Sequence, residues 1–341
     1  MKHLLVALLL AFNFSLAAST TEAAGFEALK ADFSTSISTS ASAVNLPAPS
    51  YSDPQPQIPA SGAATGQLKV YFISVGQGDA VYFELPDGGN ALIDGGPKTA
   101  YIRDFLTAKG VTHIDNVVLT HPHSDHYSGL KWVFSNTTVS NFYDNQADNT
   151  GAQGDNKVRE LAAAQKDCTM VHPRPGDTYT WSGDVGVKVF NSCPDPVSVK
   201  KEDDVNGCSI VMKISYGGRS ILMTGDIALE HEAMLTERFD SELKADILKV
   251  PHHGSMYASS EIFLNAVQPR EAVISVGKNN YGHPQPSALQ RLAASGATIT
   301  RTDISGTVSF TLSGDPSQNP PSPVQETGTS AVAADSVSQI Q

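Results

Sequence analysis

The chain has 341 residues, 40% of them hydrophobic and 17% charged, which is enough for one large domain or two modest ones. This composition excludes a fully disordered chain and any collagen-like or coiled-coil fibre. Lysine and arginine number 23 against 35 aspartates and glutamates, and the net charge of -12 argues against a broad basic surface for nucleic acid.

The N-terminal segment has the three parts of a secretory signal peptide. Lys2 precedes an apolar run over residues 4–16, and small residues follow at 17–19. The run is shorter than the roughly 20 apolar residues of a membrane span, so a membrane anchor is the weaker interpretation. We therefore expect residues 1–18 to be a signal peptide, the protein to be secreted to the extracellular medium, and no stable membrane partner.

Composition also predicts the domain boundaries. Residues 19–66 and 314–341 are rich in Ser, Ala, Thr and Pro and poor in aromatic residues. Such segments bury too little apolar surface to offset the entropy lost on ordering. We expect a flexible linker over 19–66, one folded domain over 67–313 and a disordered tail over 314–341.

Secretion would place the three cysteines in an oxidising compartment. Cys168, Cys193 and Cys208 can then form one disulfide and leave one thiol. Their spacing does not identify the pair.

Strands and helices alternate through the folded part. Runs of β-branched and aromatic residues predict strands, in chain order, at 68–73, 80–85, 90–96, 116–120, 208–215, 219–225, 246–250, 271–276, 298–302 and 307–312. Apolar residues at helical spacing predict helices at 101–109, 128–134, 228–238, 260–267 and 287–294. The last two strands are expected to pair through residues 303–306. This order predicts an α/β fold of two packed sheets with helices outside.

The strongest chemical feature is the loop that follows the fourth predicted strand. It reads THPHSDH over residues 120–126 and contains His121, His123, Asp125 and His126. Imidazole and carboxylate groups are the ligands that zinc, manganese and iron prefer. The spacing predicts a site for two neighbouring metal ions, and a polar loop with incidental histidines is the alternative.

Three further motifs lie at or near the ends of predicted strands. Asp226 in MTGD can bridge two metal ions or cap the helix that follows. In VPHHGS, one of His252 and His253 can complete a metal shell while the other contacts substrate or orients its neighbour. His283 in YGHP can position a substrate or act as an acid, or be a simple turn residue.

Together these motifs resemble the metallo-β-lactamase superfamily, whose mark is H-x-H-x-D-H. The resemblance implies a four-layer αβ/βα sandwich and two divalent ions, zinc or manganese. The matching metal ligands are His121, His123, Asp125 and His126. Asp226 matches the bridging aspartate, and Asp94 of IDGG matches the aspartate that supports the ligands from behind. His253 is the simpler match for the last histidine ligand, and His252 is the alternative.

A narrower resemblance is to the metal-dependent domain attached to the DNA-uptake protein ComEC. It rests on SVGQGD, LTHPHSDH, VPHHGS and ISVGKNNYGHP. That domain is regarded as a nuclease that acts on single-stranded DNA. Many superfamily members carry another histidine ligand before the bridging aspartate. Here the segment reads DDVNGCS, as in the Asn-rich ComEC-like relatives, and leaves Asn206, Asp204 or water in that place.

The resemblance implies a secreted metal-dependent phosphodiesterase, a nuclease whose substrate is single-stranded DNA or another phosphodiester. Two ions would lower the pKa of a shared water, giving hydroxide that attacks phosphorus. Asp125, His252 and His283 are the candidate catalytic side chains. The alternatives are a phosphorylcholine esterase or lactonase, and a binding protein without activity.

Two features would distinguish these substrates. An aromatic cage near Tyr127 and Tyr281 would favour choline. A basic groove beside the metals would favour nucleic acid, and its candidate residues are Lys98, Lys131, Lys249 and Lys278.

Overall fold

The computed structural model describes residues 66–152, 154–193, 198–199, 202–315 and 323–325. All of them belong to one unit of the chain, residues 58–341. The predicted signal peptide and the linker up to residue 65 lie outside the described residues. Within the described ranges, no helix combines the length and the apolar character that a membrane crossing needs.

Strands and helices alternate along the described chain. The strands are β1 Gln67–Phe72, β2 Val81–Glu84, β3 Asn90–Ile93, β4 His113–Leu119, β5 Thr138–Asp144, β6 Asp148–Asn149, β7 Thr169–Val171, β8 Thr178–Ser182, β9 Val185–Asn191, β10 Ser198–Val199, β11 Val211–Tyr216, β12 Arg219–Met223, β13 Ile247–Lys249, β14 Glu271–Ile274, β15 Thr298–Arg301, β16 Val308–Ser313 and β17 Val324–Gln325. The α-helices are α1 Thr99–Ala108, α2 Ser124–Tyr127, α3 Leu130–Asn136, α4 Gly154–Ala163, α5 Glu202–Gly207, α6 Leu229–Phe239, α7 Glu261–Val267, α8 Pro286–Ala294 and α9 Thr302–Ser305. A 3-10 helix spans Asp240–Leu243, and Pro251–Gly254 form a tight turn with left-handed backbone angles at His252 and His253.

Two mixed sheets form the frame. The first has the order β17-β16-β1-β2-β3-β4-β5-β7, and the second has the order β15-β14-β13-β12-β11-β9-β8. Strands β3, β4, β5 and β7 run parallel in the first sheet, as do β12 to β15 in the second. Parallel strands buried on both faces favour continuous apolar runs, which is the pattern at the ends of β4 and β14.

Three apolar cores separate four layers. Alternation along β1 sends Val70 and Phe72 into a core shared with strands of the second sheet, and Tyr71 into a core shared with α1 and α3. A third core joins the second sheet to α6, α7 and α8. The helix–sheet–sheet–helix order confirms the predicted four-layer sandwich.

The expected pairing of the last two strands is wrong. β15 pairs in parallel with β14, whereas β16 crosses to the first sheet and pairs antiparallel with β1. The residues between them form α9, whose Thr302 accepts a hydrogen bond from the backbone of Val276 at 2.9 Å. That tertiary contact holds the connection against the second sheet and replaces the expected turn.

The C-terminal segment and the cysteines show features that the sequence left open. Within the segment 314–341, expected to be a tail, β17 pairs with β16; most of that segment lies outside the described residues. Cys193 and Cys208 form the disulfide, and Cys168 is a half-buried free thiol.

Candidate metal centre

The candidate ligands lie where strands of both sheets end. In the first sheet, Asp94 follows β3 and His121 follows β4. In the second sheet, Asp226 follows β12, and the turn with His253 follows β13. Because the carboxyl ends of parallel strands share one edge of a sheet, these side chains meet where the two sheets come together.

Four side chains form one tight cluster. One ligand atom each from Asp125, His126, Asp226 and His253 lies within 4.8 Å of the other three. The Nε2 atoms of His126 and His253 both lie 3.3 Å from Oδ2 of Asp226. Two imidazoles and two carboxylates are a suitable donor set for a divalent metal ion.

A second group approaches the same aspartate from another side. Nε2 of His121 lies 3.0 Å from Nδ1 of His123 and 3.8 Å from Oδ2 of Asp226. Asn206 lines the cavity that opens above these side chains, and its buried Oδ1 has no hydrogen-bond partner among the described residues. Asp226 therefore lies between two groups of donors. It is not the cap of α6, whose N-cap is Ala228.

Unpaired polar atoms show whether these residues fit a metal. Among the described residues, Nε2 of His126, Nε2 of His253 and Oδ1 of Asp226 are buried without a hydrogen-bond partner. Buried polar atoms normally have such a partner, and unpaired ones cost free energy. A divalent ion among the facing nitrogen and oxygen atoms would remove that cost for the histidines, so the donor set fits a metal.

Neighbouring groups fix the orientation of the imidazoles. Asp94 accepts hydrogen bonds from the backbone N and the hydroxyl of Thr120 at 2.8 and 2.7 Å, and from Nδ1 of His126 at 2.8 Å. Nδ1 of His253 donates to the carbonyl of Ser275 at 2.8 Å. Because each Nδ1 donates, Nε2 is the ring atom that can bind a metal once it has lost its own proton.

Glycines allow the first motif to pack against the histidine loop. The backbone N of Gly95 donates to the carbonyl of His126 at 2.7 Å, and that of Gly129 donates to Gly96 at 3.0 Å. A Cβ at Gly129 would overlap the carbonyl oxygen of Gly95. This close approach holds His126 against Asp94.

The structure separates the two adjacent histidines. Both have left-handed backbone angles, with φ of 48° at His252 and 52° at His253, which side chains other than glycine rarely adopt. His253 is buried in the cluster with Asp226, whereas His252 faces His283 with ring centroids 5.5 Å apart. The structure thus brings His253, and not His252, into the cluster.

Charges in the cluster shift its pKa values. Burial opposes ionisation of Asp226, but His253, His126 and Lys249 outweigh it and hold its pKa well below the usual range. Burial also opposes protonation of His126, but Asp226 and other carboxylates raise its pKa well above the usual value. For Lys249, the carboxylates outweigh burial and raise the pKa, so its ammonium stays charged.

The pKa values of His252 and His283 shift the other way. Burial lowers the pKa of His252. Burial and the nearby His252 and His253 lower the pKa of His283 to about 4. Both imidazoles are therefore neutral at neutral pH, which favours a positioning role for His283 over an acid role.

A cavity of about 460 Å³ opens above the cluster. Its lining, as far as the chain is described, contains no lysine or arginine, and Lys249 lies buried behind the cluster. Tyr127 is buried, so it forms no cage with Tyr281. Neither the basic groove nor the aromatic cage considered above is present in this lining.

Several lining residues were not predicted. Gln77, Ser255, Met256, Tyr257 and Gln285 border the cavity beside the predicted histidines. Gln77 and Ser255 belong to the motifs SVGQGD and VPHHGS, and the other three lie within two residues of a motif, which is the signal that could have found them.

Sequence comparisons agree with this geometry. The chain matches the metallo-beta-lactamase superfamily over residues 73–278. It is 32% identical over 263 residues to ComE operon protein 3 of Bacillus subtilis, covering 71% of this chain and 33% of that protein. It is 33% identical over 208 residues to competence protein ComA of Neisseria gonorrhoeae, covering 61% and 26%. Recombination protein 2 of Haemophilus influenzae is 27% identical over 246 residues, covering 69% and 28%.

The chain thus spans about a third or less of the length of these relatives. The predicted resemblance to competence proteins is confirmed at the level of this domain. The family match covers the strand ends that carry the His and Asp cluster. The chain belongs to the metallo-β-lactamase superfamily and is one of its metal-dependent hydrolases.

Proposed function

We propose that the protein is a secreted phosphodiesterase that cleaves single-stranded DNA. The observation that carries the proposal is the position of Asp226 between two donor groups, with Oδ2 at 3.3 Å from His126 and His253 and 3.8 Å from His121. Sites for two ions sharing one carboxylate suit in-line displacement at phosphorus, where both the attacking and leaving oxygens need stabilisation.

Each ion would have its own set of residues. His121 and His123, with Asn206 beside them, would hold one ion, and Asp226 would be shared. The ligands of the other ion would be Asp125, His126 and His253. Bound divalent ions of zinc or manganese would supply an activated water and neutralise charge on the phosphoryl group.

The remaining cavity residues would bind the substrate. His252 and His283 are neutral, and each has a buried Nδ1 without a hydrogen-bond partner in the described structure. One ring N–H of each can donate to a phosphoryl oxygen. Since no lysine or arginine of the described residues lines the cavity, the phosphate would depend on the ions for its positive counter-charge.

The rim of the cavity supports a substrate with unpaired bases. Tyr257 and Tyr281 line the cavity and are 63% and 66% exposed. Stacking of a base on an aromatic ring contributes about 1–3 kcal/mol, and it needs bases that are not already stacked in a duplex. The relatives named for competence and recombination belong to processes that handle DNA, which supports the same substrate.

A gel assay tests the proposal. The chain from residue 19 onward is incubated with single-stranded DNA or the matched duplex, in manganese or zinc, with EDTA as the metal-free control. We expect fragments from the single strand that disappear with EDTA and in Asp226→Ala. The matched variant Asp104→Ala, whose side chain is 63% exposed, should cleave normally.

Two results would contradict the proposal. Intact DNA under both metals, together with hydrolysis of a phosphorylcholine or lactone substrate, would favour a small-molecule hydrolase. Undiminished cleavage by Asp226→Ala would show that Asp226 is not a carboxylate shared by two ions. Release of the mature chain into the medium, with Lys2 and the apolar run removed, tests secretion separately.

A further inference from the structure

A fully buried lysine lies behind the metal centre. Lys249, the last residue of β13, is 0% exposed. Its Nζ contacts Oδ2 of Asp79, lies 3.6 Å from Oδ1 of Asp226 and donates to the carbonyl of Gly225 at 3.2 Å. Lysine is almost never fully buried unless it is paired, because removing an ammonium from water is costly. Its place in this site therefore needs an explanation.

Asp79 connects this lysine to two of the histidine ligands. Its Oδ1 lies 3.5 Å from Nδ1 of His253, and its Oδ2 lies 3.8 Å from Nδ1 of His126. Neither Asp79 nor Lys249 lines the cavity. The pair therefore acts on the cluster from behind and does not reach a substrate.

The pair also balances charge where carboxylates crowd together. Donor atoms of Asp79, Asp94 and His126 lie within 4.8 Å of one another, and all three residues are buried. Such a group could itself attract a cation. The ammonium of Lys249 already forms an ion pair with Asp79, so the chain itself supplies a fixed positive charge to these carboxylates.

Lys249 also faces the unpaired side of the shared carboxylate. Oδ2 of Asp226 faces the histidine nitrogens, while its buried Oδ1 has no hydrogen-bond partner in the described residues. The ammonium lies 3.6 Å from that Oδ1 and supplies a positive charge beside it. It can attract Asp226 whether or not metal is present.

We propose that Lys249, held in place by Asp79, is a positioning residue for Asp226. Its positive charge replaces that of the ions when the site holds no metal. It therefore stabilises the metal-free site and makes metal binding weaker and reversible. An ammonium attracts the carboxylates of the metal-free site and repels divalent ions. A group that stabilises the metal-free state more than the metal-loaded state must weaken metal binding by the same factor.

Lys249→Met tests this with readouts that do not use catalysis. We expect the metal-free variant to melt at a lower temperature than the wild type. We expect its dissociation constant for manganese, measured by competition with a chelating dye, to fall by roughly tenfold. Lys213→Met is the matched control, since Lys213 is a partly buried lysine of β11 that pairs away from the centre. It should bind manganese as the wild type does.

The double variant Asp79→Asn/Lys249→Met guards against misfolding, because it leaves no unpaired buried charge from the pair. It should also bind manganese more tightly. Weaker binding, by the 10–100-fold typical of lost supporting contacts, would overturn the proposal, and so would unchanged binding. If the variants are unfolded without metal, recovery of near-UV circular dichroism with manganese supports it. Failure of both to fold in saturating manganese overturns it. None of these outcomes depends on DNA being the substrate.

Discussion

Replacing Asp94 with asparagine is expected to weaken both the fold and metal binding. Asparagine has the same shape and tolerates the φ of 60° at this position. The carboxylate accepts three hydrogen bonds, two from Thr120 and one from His126. The amide keeps one oxygen acceptor and places an NH2 donor where the other oxygen was.

The magnitude follows from these three bonds. The backbone bond from Thr120 can persist, and the Thr120 hydroxyl can rotate to accept from the amide. Nδ1 of His126 cannot then donate, so one charge-assisted bond is lost, at a cost of about 1.5–3 kcal/mol. The proton moves to Nε2, the atom that faces Asp226, so metal affinity should fall by about 10–100-fold.

Two measurements check this prediction. Denaturant unfolding of the metal-free protein gives the change in free energy of unfolding, and chelator competition gives the metal dissociation constant. Asp104→Asn, at an exposed position, should change neither. If Asp94→Asn binds metal with wild-type affinity, Asp94 does not set the tautomer of His126, and the reasoning fails.

Three other changes have expected results that the structure also fixes. Gly129→Ala should destabilise the fold by about 3 kcal/mol, because the new Cβ would overlap the carbonyl oxygen of Gly95. Gly186→Ala is the control: a Cβ there meets open space, so the same unfolding assay should show a change of less than about 0.5 kcal/mol. Reducing the Cys193–Cys208 disulfide, which joins residues 15 apart, should lower the free energy of unfolding by about 3 kcal/mol, and an unchanged melting temperature in dithiothreitol would contradict this. In the folded protein, the His283 pKa of about 4 lies below the unfolded value of about 6.5, so the unfolded state binds more protons and stability should fall as pH drops from 6.5 to 4. His283→Gln should flatten that part of a plot of melting temperature against pH, and an unchanged slope would show that His283 does not titrate this way.

The loops that carry the candidate ligands could be predicted from the sequence because their chemistry is local. A buried apolar run ending in HPHSDH identifies both a strand and the residues at its end. All five predicted helices are present with bounds within two residues of those observed. By contrast, no element was assigned over 138–191, where β5 mixes polar and apolar residues that pair with neighbouring strands. The alternating valines of β9 could have indicated that strand.

The features that the sequence did not predict depend on tertiary partners. The pairing of β15 with β14 and of β16 with β1 depends on strands far apart in sequence, which local patterns do not contain. Lys249 was considered as part of a basic groove, but its contact with Asp79 joins residues 170 positions apart and places it behind the site. Burial of that kind is visible only in three dimensions.

Ligands contributed by both sheets have a consequence for how activity arises during folding. A folding intermediate with only the first sheet in place has His121, His123, Asp125 and His126 but lacks Asp226. An intermediate with only the second sheet has Asp226 but lacks the histidines and the aspartate of residues 121–126. If both groups of candidate ligands are needed, hydrolysis would therefore require both sheets to be assembled. In the proposed nuclease, such a requirement would confine cleavage of DNA to the fully assembled molecule.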